Sequence, residues 1–128
     1  MSKIKPAILA MVWCAAPMFA HHSFAAFDLS KTVTLVGVVK EFQWLNPHSW
    51  IQMMVTDANG KDMEWSIETS SPSGLSRQGW KPKSLKPGDH ITITMHPMRD
   101  GKPGGSLITT TLADGTKFGG SPIGDAKE

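Results

Sequence analysis

The sequence contains a single cysteine, Cys14, among its 128 residues. One thiol cannot form an internal disulfide, and Cys14 lies in a leader segment that we expect to be removed. We therefore expect the mature protein to have no disulfide and no cysteine chemistry. The roughly 108 residues after residue 20 are enough for one domain with a core that needs no covalent cross-links.

Long apolar runs are also scarce, which argues against a membrane span. The only candidate, residues 7–16, has ten uncharged residues, about half of what a membrane-spanning helix needs. It follows Lys3 and Lys5, and this order is typical of a cleaved secretory signal. We expect residues 1–20 to be a signal peptide and the mature protein to be a soluble periplasmic protein without a membrane span.

The cleavage site decides which residue begins the mature chain. Ala20 provides the small residue that a signal peptidase prefers, and cleavage there makes His21 the first residue. Met18 occupies a position where a smaller side chain is usual, so cleavage after Ala16 or Met18 stays open. A buried N-terminal helix over residues 1–20 is the alternative to a leader.

Without the leader, the chain has no excess of positive charge. The whole chain has 13 basic and 11 acidic residues, and Lys3 and Lys5 belong to the leader. The expected mature chain is therefore formally neutral. Nucleic-acid binding is not expected, because neutralisation of phosphates by Lys and Arg supplies most non-specific affinity. A solvated helix end accounts for the local basic stretch of Arg77, Lys81, Lys83 and Lys86.

Signatures of catalysis are absent as well. The glycines between Gly101 and Gly105 precede a predicted strand, whereas a phosphate-binding loop precedes a helix. No serine has a nucleophile context, and we expect Glu41, Glu64 and Glu68 to be surface carboxylates. The sequence therefore predicts a protein that is not an enzyme.

Alternation of apolar and polar residues predicts five strands. They are expected over residues 31–44, 49–56, 63–68, 91–96 and 107–112, with a bend or bulge at Gly37 in the first. Ser71 as N-cap, Pro72 at the first helical position and Gly79 at the end predict a short helix after the third strand.

This order of elements is that of an OB-fold, a five-stranded barrel with a short helix between strands 3 and 4. A fragment of a β-sandwich is the alternative fold. We expect the domain to occupy residues 21–113 and residues 114–128 to form a flexible tail.

Several short motifs resemble an uncharacterised family of small exported bacterial proteins, catalogued as a domain of unknown function. The residues that carry the resemblance lie at 21–28 (HHSFAAFD), 33–39, 41–48 (EFQWLNPH), 71–72, 79–80 and 85–89. The resemblance implies export and a compact β-domain. It implies no catalytic or ligand-binding residue.

The sharpest chemical hypothesis concerns His21, His22 and His48. Cleavage after Ala20 would leave a free α-amine on His21, and amine and imidazole together form a chelate suited to Cu(II). His22 or His48 could complete the nitrogen set of a histidine brace. Imidazole ligands also suit Zn and Ni, so only the nitrogen-rich geometry of the expected site favours copper over these metals. Otherwise, the paired histidines are solvated and the His48 ring satisfies a backbone carbonyl beside the turn.

The second hypothesis concerns Trp44 and Trp50, which flank the Asn46-Pro47 turn. Half-exposed aromatic rings on an OB-like face can stack on a ligand. Trp65, in phase with Met63 on the third strand, is expected in the core, as is Met95 on the fourth.

Two functions remain open from the sequence. The favoured function is an exported small binding protein that holds a metal ion or small ligand, copper being the favoured metal. The alternative is a non-enzymatic interaction module for an oligosaccharide, a peptide or a partner protein.

Overall fold

The computed structural model describes residues 25–120. It contains six strands and one short helix, in the order β1 (Val33–Gln43), β2 (Trp50–Thr56), β3 (Asp62–Glu68), α1 (Pro72–Arg77), β4 (His90–Pro97), β5 (Gly104–Leu112) and β6 (Lys117–Gly119).

Five of the strands close into a barrel. β1 pairs antiparallel with β2 and with β4, β2 pairs with β3, and β4 pairs with β5. A parallel pairing of β3 with β5 closes the ring, through Ser66 with Gly104, Ile67 with Gly105, and Glu68 with Ser106. The predicted OB-type barrel with a helix between β3 and β4 is confirmed, and the β-sandwich fragment is excluded.

The inward faces of the strands and one face of α1 form a single core. Its fully buried side chains are mostly aliphatic: Val39, Ile51, Met53, Ile67, Leu75, Trp80, Leu85, Ile91, Ile93, Met95 and Leu107. Such alternating inward positions fill the interior of a small barrel.

Of the two methionines predicted to be core, Met95 is fully buried, but Met63 is 40% exposed. The prediction for Met63 was wrong because β3 pairs with β5 only from Ser66 onward. The first half of β3 has β2 as its only strand neighbour, so no opposing wall covers Met63.

Gly37 has a different role from the predicted one. The register of β1 against β2 shifts between Val39 and Glu41, so the bulge lies after Gly37. At Gly37 a Cβ atom would lie 2.4 Å from the carbonyl oxygen of Met54 and 2.6 Å from Cε of Met53. The strands can therefore approach this closely only because residue 37 has no side chain.

The predicted helix is present, with the predicted ends. The Ser71 hydroxyl accepts a hydrogen bond from Gly74 N–H at 3.2 Å, Pro72 begins the helix, and Gly79 has a φ of +89° just after it. Leu75 is the side chain that anchors α1 in the core. Within residues 25–120, no helix has the length and apolar character needed to cross a bilayer.

The structure differs from the predicted tail at its beginning. Lys117–Gly119 form β6, which pairs with β5. Phe118 packs on Trp80 with ring centroids 4.6 Å apart, and the Trp80 indole Nε1–H donates to Gly119 O at 2.5 Å. Three residues are too few to show an alternating pattern, and the residue that packs on them, Trp80, is distant in sequence. No local pattern therefore predicts this strand.

A segment before β1 attaches the N-terminal side of the chain to the barrel. Phe27, only 3% exposed, forms an antiparallel bridge with Met98. Asp28 N–H donates to Pro97 O at 2.9 Å, and Arg99 N–H donates to Ala26 O at 2.8 Å. The first described residues therefore lie beside the segment that follows β4 and are hydrogen-bonded to it.

The Asp28 side chain makes this attachment sensitive to pH. Its carboxylate accepts from the Ser30 hydroxyl at 2.6 Å and lies 3.2 Å from the Lys31 ammonium. These contacts, the Ser30 hydrogen bond first, lower the pKa of Asp28 from an ordinary value of 3.8 to about 2. A depressed carboxyl pKa stabilises the fold above the unfolded-state pKa, and that stabilisation is lost as pH falls through the folded-state pKa.

We therefore expect Asp28→Asn to lower the stability of the protein at pH 7 and to flatten its loss of stability between about pH 4 and pH 2. Urea midpoints measured at several pH values and constant ionic strength check this. Parallel pH profiles of the variant and the unsubstituted protein would contradict it.

Candidate functional site

The Asn46-Pro47 turn between β1 and β2 is held against the segment that follows β3. Its peptide bond is cis. Ser49, fully buried, donates its N–H to Ser70 O at 3.0 Å and accepts from Thr69 N–H at 2.9 Å. The Thr69 hydroxyl also donates to Ser49 O, at 3.0 Å. These bonds fix the backbone on the C-terminal side of His48.

The Ser49 side chain closes the turn from within. Leu45 N–H donates to the Ser49 hydroxyl at 3.2 Å, and this hydroxyl donates back to Leu45 O at 3.3 Å. Both ends of the turn are thereby joined across the intervening residues. A turn held in this way presents His48 in a defined position.

His48 is bound to a buried carboxylate. Its Nδ1 is hydrogen-bonded to Oε1 of Glu68, whose side chain is 7% exposed, whereas the His48 side chain is 31% exposed. A carboxylate oxygen can only accept, so Nδ1 carries a hydrogen, and in a neutral ring with this tautomer the lone pair is on Nε2. The expected alternative, a His48 ring that satisfies a backbone carbonyl, is replaced by this carboxylate contact.

Glu68 is the residue that sequence reasoning missed. The prediction of a surface carboxylate was wrong, since Glu68 is buried at the end of β3. It lies on the same strand face as Ser66 and Glu64, and a polar set at this spacing is typical of a wet strand face. No local signal distinguishes it from Glu64, because the parts of the chain that bury it are distant in sequence.

A cavity of about 380 Å³ opens beside Glu68. Most of its wall is apolar, with Trp50 on one side and Met98 on another. The N-terminal segment lies on it through Ala26 and Phe27. The remaining lining residues are Ser66, Lys102, Pro103 and Gly104.

The two predicted ligand-stacking tryptophans lie in different surroundings. Trp50 lines the cavity and pairs with Glu68 across β2 and β3. Trp44 instead packs edge-on against Phe42, with centroids 5.7 Å apart at 84°, and Phe42 in turn contacts Trp80. Trp44 is thus half-buried against the core, while Trp50 belongs to the cavity wall.

Of the predicted metal ligands, His48 is placed beside Glu68, and His21 and His22 lie outside the described residues. Between residues 25 and 120, no three His, Cys, Asp or Glu side chains come close enough to hold a metal ion. His96 is engaged elsewhere, with Nδ1 2.8 Å from Lys31 O. The described residues therefore contribute one candidate ligand, not a complete set.

The fold and site together define a small OB-type barrel that carries a carboxylate-bound histidine near an apolar cavity. The chain belongs to a family of unknown function (DUF6152), whose model matches residues 9–107. No curated protein and no solved structure shows significant similarity to it. The resemblance to an uncharacterised domain family is thereby confirmed.

Proposed function

We propose that this protein is an exported binding protein whose processed N-terminus holds a copper ion together with His48. The observation that carries the proposal is the bond between His48 Nδ1 and the buried Glu68 carboxylate. Histidines that bind metals almost always donate their other ring N–H to a carboxylate, a carbonyl or a water. The bond orients the ring and leaves Nε2, on a partly exposed side chain, to face an ion.

The path of the N-terminal segment supports a contribution from His21. Ala26 lies on the cavity that Glu68 also lines, and Glu68 is the partner of His48. His21 precedes Ala26 by five residues, which span at most about 17 Å when fully extended. That reach is compatible with a ligand set shared by the terminus and the turn.

The donor chemistry favours copper. The α-amine and imidazole of His21 would form a chelate, and His22 or His48 Nε2 would add a further nitrogen. Nitrogen-rich tetragonal sites suit Cu(II), which also binds most tightly among the divalent first-row metals. The protein would need no catalytic group for such a role.

The test begins with the mature protein that starts at His21, its N-terminus fixed by intact mass. We expect Cu(II) binding by calorimetry, and acetylation of the His21 α-amine should weaken it by at least about tenfold because the chelate loses its amine. His48→Ala should weaken it as well. His90→Ala, at an exposed position on β4, is the matched control and should leave the affinity unchanged.

Three results would count against the proposal. Unchanged Cu(II) affinity in the protein with an acetylated His21 α-amine would exclude the terminal amine as a ligand. Equal effects of His48→Ala and His90→Ala would show that His48 has no specific role. Cleavage of the exported protein at a residue other than Ala20 would remove the terminal chelate altogether.

A further inference from the structure

We infer that the cavity beside Glu68 binds a small organic cation with an apolar body and one ammonium group. This site shares Glu68, the partner of His48, with the proposed copper site but does not need the N-terminal amine. Its volume of about 380 Å³ lies within the roughly 300–1,000 Å³ of small-molecule sites.

The walls of the cavity suit an apolar body. Phe27, Trp50, Met98 and Pro103 provide aromatic, thioether and aliphatic surface, and a cation over an aromatic face is also attracted by the ring quadrupole. The Met98 side chain can adapt to a ligand of irregular shape because it is unbranched and polarizable. A flat or branched hydrocarbon group would therefore find contacts on several sides.

The charge of the cavity selects a cation. Glu68 contributes a carboxylate that is almost fully buried in the wall. The basic residue of the lining is Lys102, whose ammonium lies 3.7 Å from the Asp100 carboxylate and whose side chain is 78% exposed. The positive charge is thus held at the solvent side and the negative charge at the inner side. An ammonium group would be attracted to the inner side and a carboxylate would be repelled.

A second polar group lies beside Glu68. Ser106 pairs with Glu68 across the parallel β3–β5 ladder, so the two side chains project from the same face. The Ser106 hydroxyl is fully buried and has no hydrogen-bond partner among residues 25–120. Ser106 is not among the residues that line the cavity, so its hydroxyl is a neighbour of Glu68 and not a contact of the ligand.

The test uses copper-free protein and three probes of similar size: 2-phenylethylamine, 2-phenylethanol and phenylacetate. We expect the amine to bind at least about tenfold more tightly than the alcohol, and phenylacetate to bind more weakly than either. Calorimetry gives the affinities, and chemical-shift changes at the Trp50 indole N–H show whether the probe occupies the cavity.

Two variants separate a ligand role from a structural role. Glu68→Gln should remove the preference for the amine over the alcohol. Ser106→Ala changes a buried group next to Glu68 that does not line the cavity, so it should leave amine binding within about twofold without lowering stability, since it removes an unpaired polar group. Glu64→Gln, at an exposed site on the same strand that is paired with Lys40, is the matched control.

Equal affinity for amine and alcohol would overturn the proposal, as would amine binding that survives Glu68→Gln unchanged in a folded protein. Failure of all three probes to shift the Trp50 signal would overturn it too. Because the measurement needs no metal, amine binding by the protein with an acetylated His21 α-amine keeps this outcome distinct from that of the copper experiment.

Discussion

Replacing Trp80 by alanine should lower the free energy of unfolding by about 3–5 kcal/mol, because it removes a fully enclosed ring and leaves a cavity. Trp80 is only 2% exposed. Its ring contacts Phe118 at 4.6 Å and Phe42 at 5.5 Å, so it joins β6 to β1. Urea unfolding followed by far-UV circular dichroism gives the value without depending on tryptophan fluorescence.

Two further variants divide the Trp80 effect into packing and hydrogen bonding. Trp80→Phe keeps an aromatic ring but removes the donor to Gly119 O, so an intermediate loss is expected. Trp65→Ala, at a half-buried position, should cost less than Trp80→Ala. A loss below about 1 kcal/mol for Trp80→Ala would contradict the packing of β6 and β1 on one aromatic cluster.

Local signals predicted the barrel because each strand and turn carries its own chemistry. The alternation in β4, for example, places Ile91, Ile93 and Met95 inward, and all three are buried. Ser71 and Pro72 similarly fix the start of α1 through a side-chain cap and a preset φ. Such features depend on residues within a few positions of one another.

The features that sequence reasoning missed depend on distant neighbours. β6 has only three residues and is stabilised by Trp80, 38 positions before Phe118. Met63 lies at the exposed end of an otherwise apolar face, and Glu68 lies at the buried end of an otherwise polar face. Period two assigns the side of a strand but not what packs on that side.

The candidate site also combines residues that were predicted from the sequence with residues that were not. His48 was predicted as a possible ligand because its imidazole could complete the nitrogen set that begins with His21. Its partner was not, because Glu68 lies twenty residues later on another strand. Trp50 was predicted to contact a ligand, and the structure places it on the cavity wall. The cavity is lined by the N-terminal segment together with β2, β3 and the segment that follows β4. No spacing in the sequence indicates that these parts of the chain meet.

Replacing Glu68 by glutamine should lower the affinity for Cu(II) by about 10- to 100-fold, the usual effect of removing a carboxylate that orients a metal-binding histidine. The amide oxygen of glutamine still accepts from Nδ1–H but carries no charge, so the ring is held less firmly and Nε2 is a weaker donor. Glu68→Leu removes the acceptor as well and should have the larger effect.

A double-mutant cycle decides whether Glu68 acts through His48. In protein that already carries His48→Ala, Glu68→Gln should have little further effect on Cu(II) affinity, because the ring that it orients is gone. Glu64→Gln, four positions earlier on β3, should have no effect in either background. If Glu68→Gln weakens copper binding equally with and without His48, the carboxylate acts on the ion directly or through the fold. The copper site would then involve the cavity wall and not the Asn46-Pro47 turn.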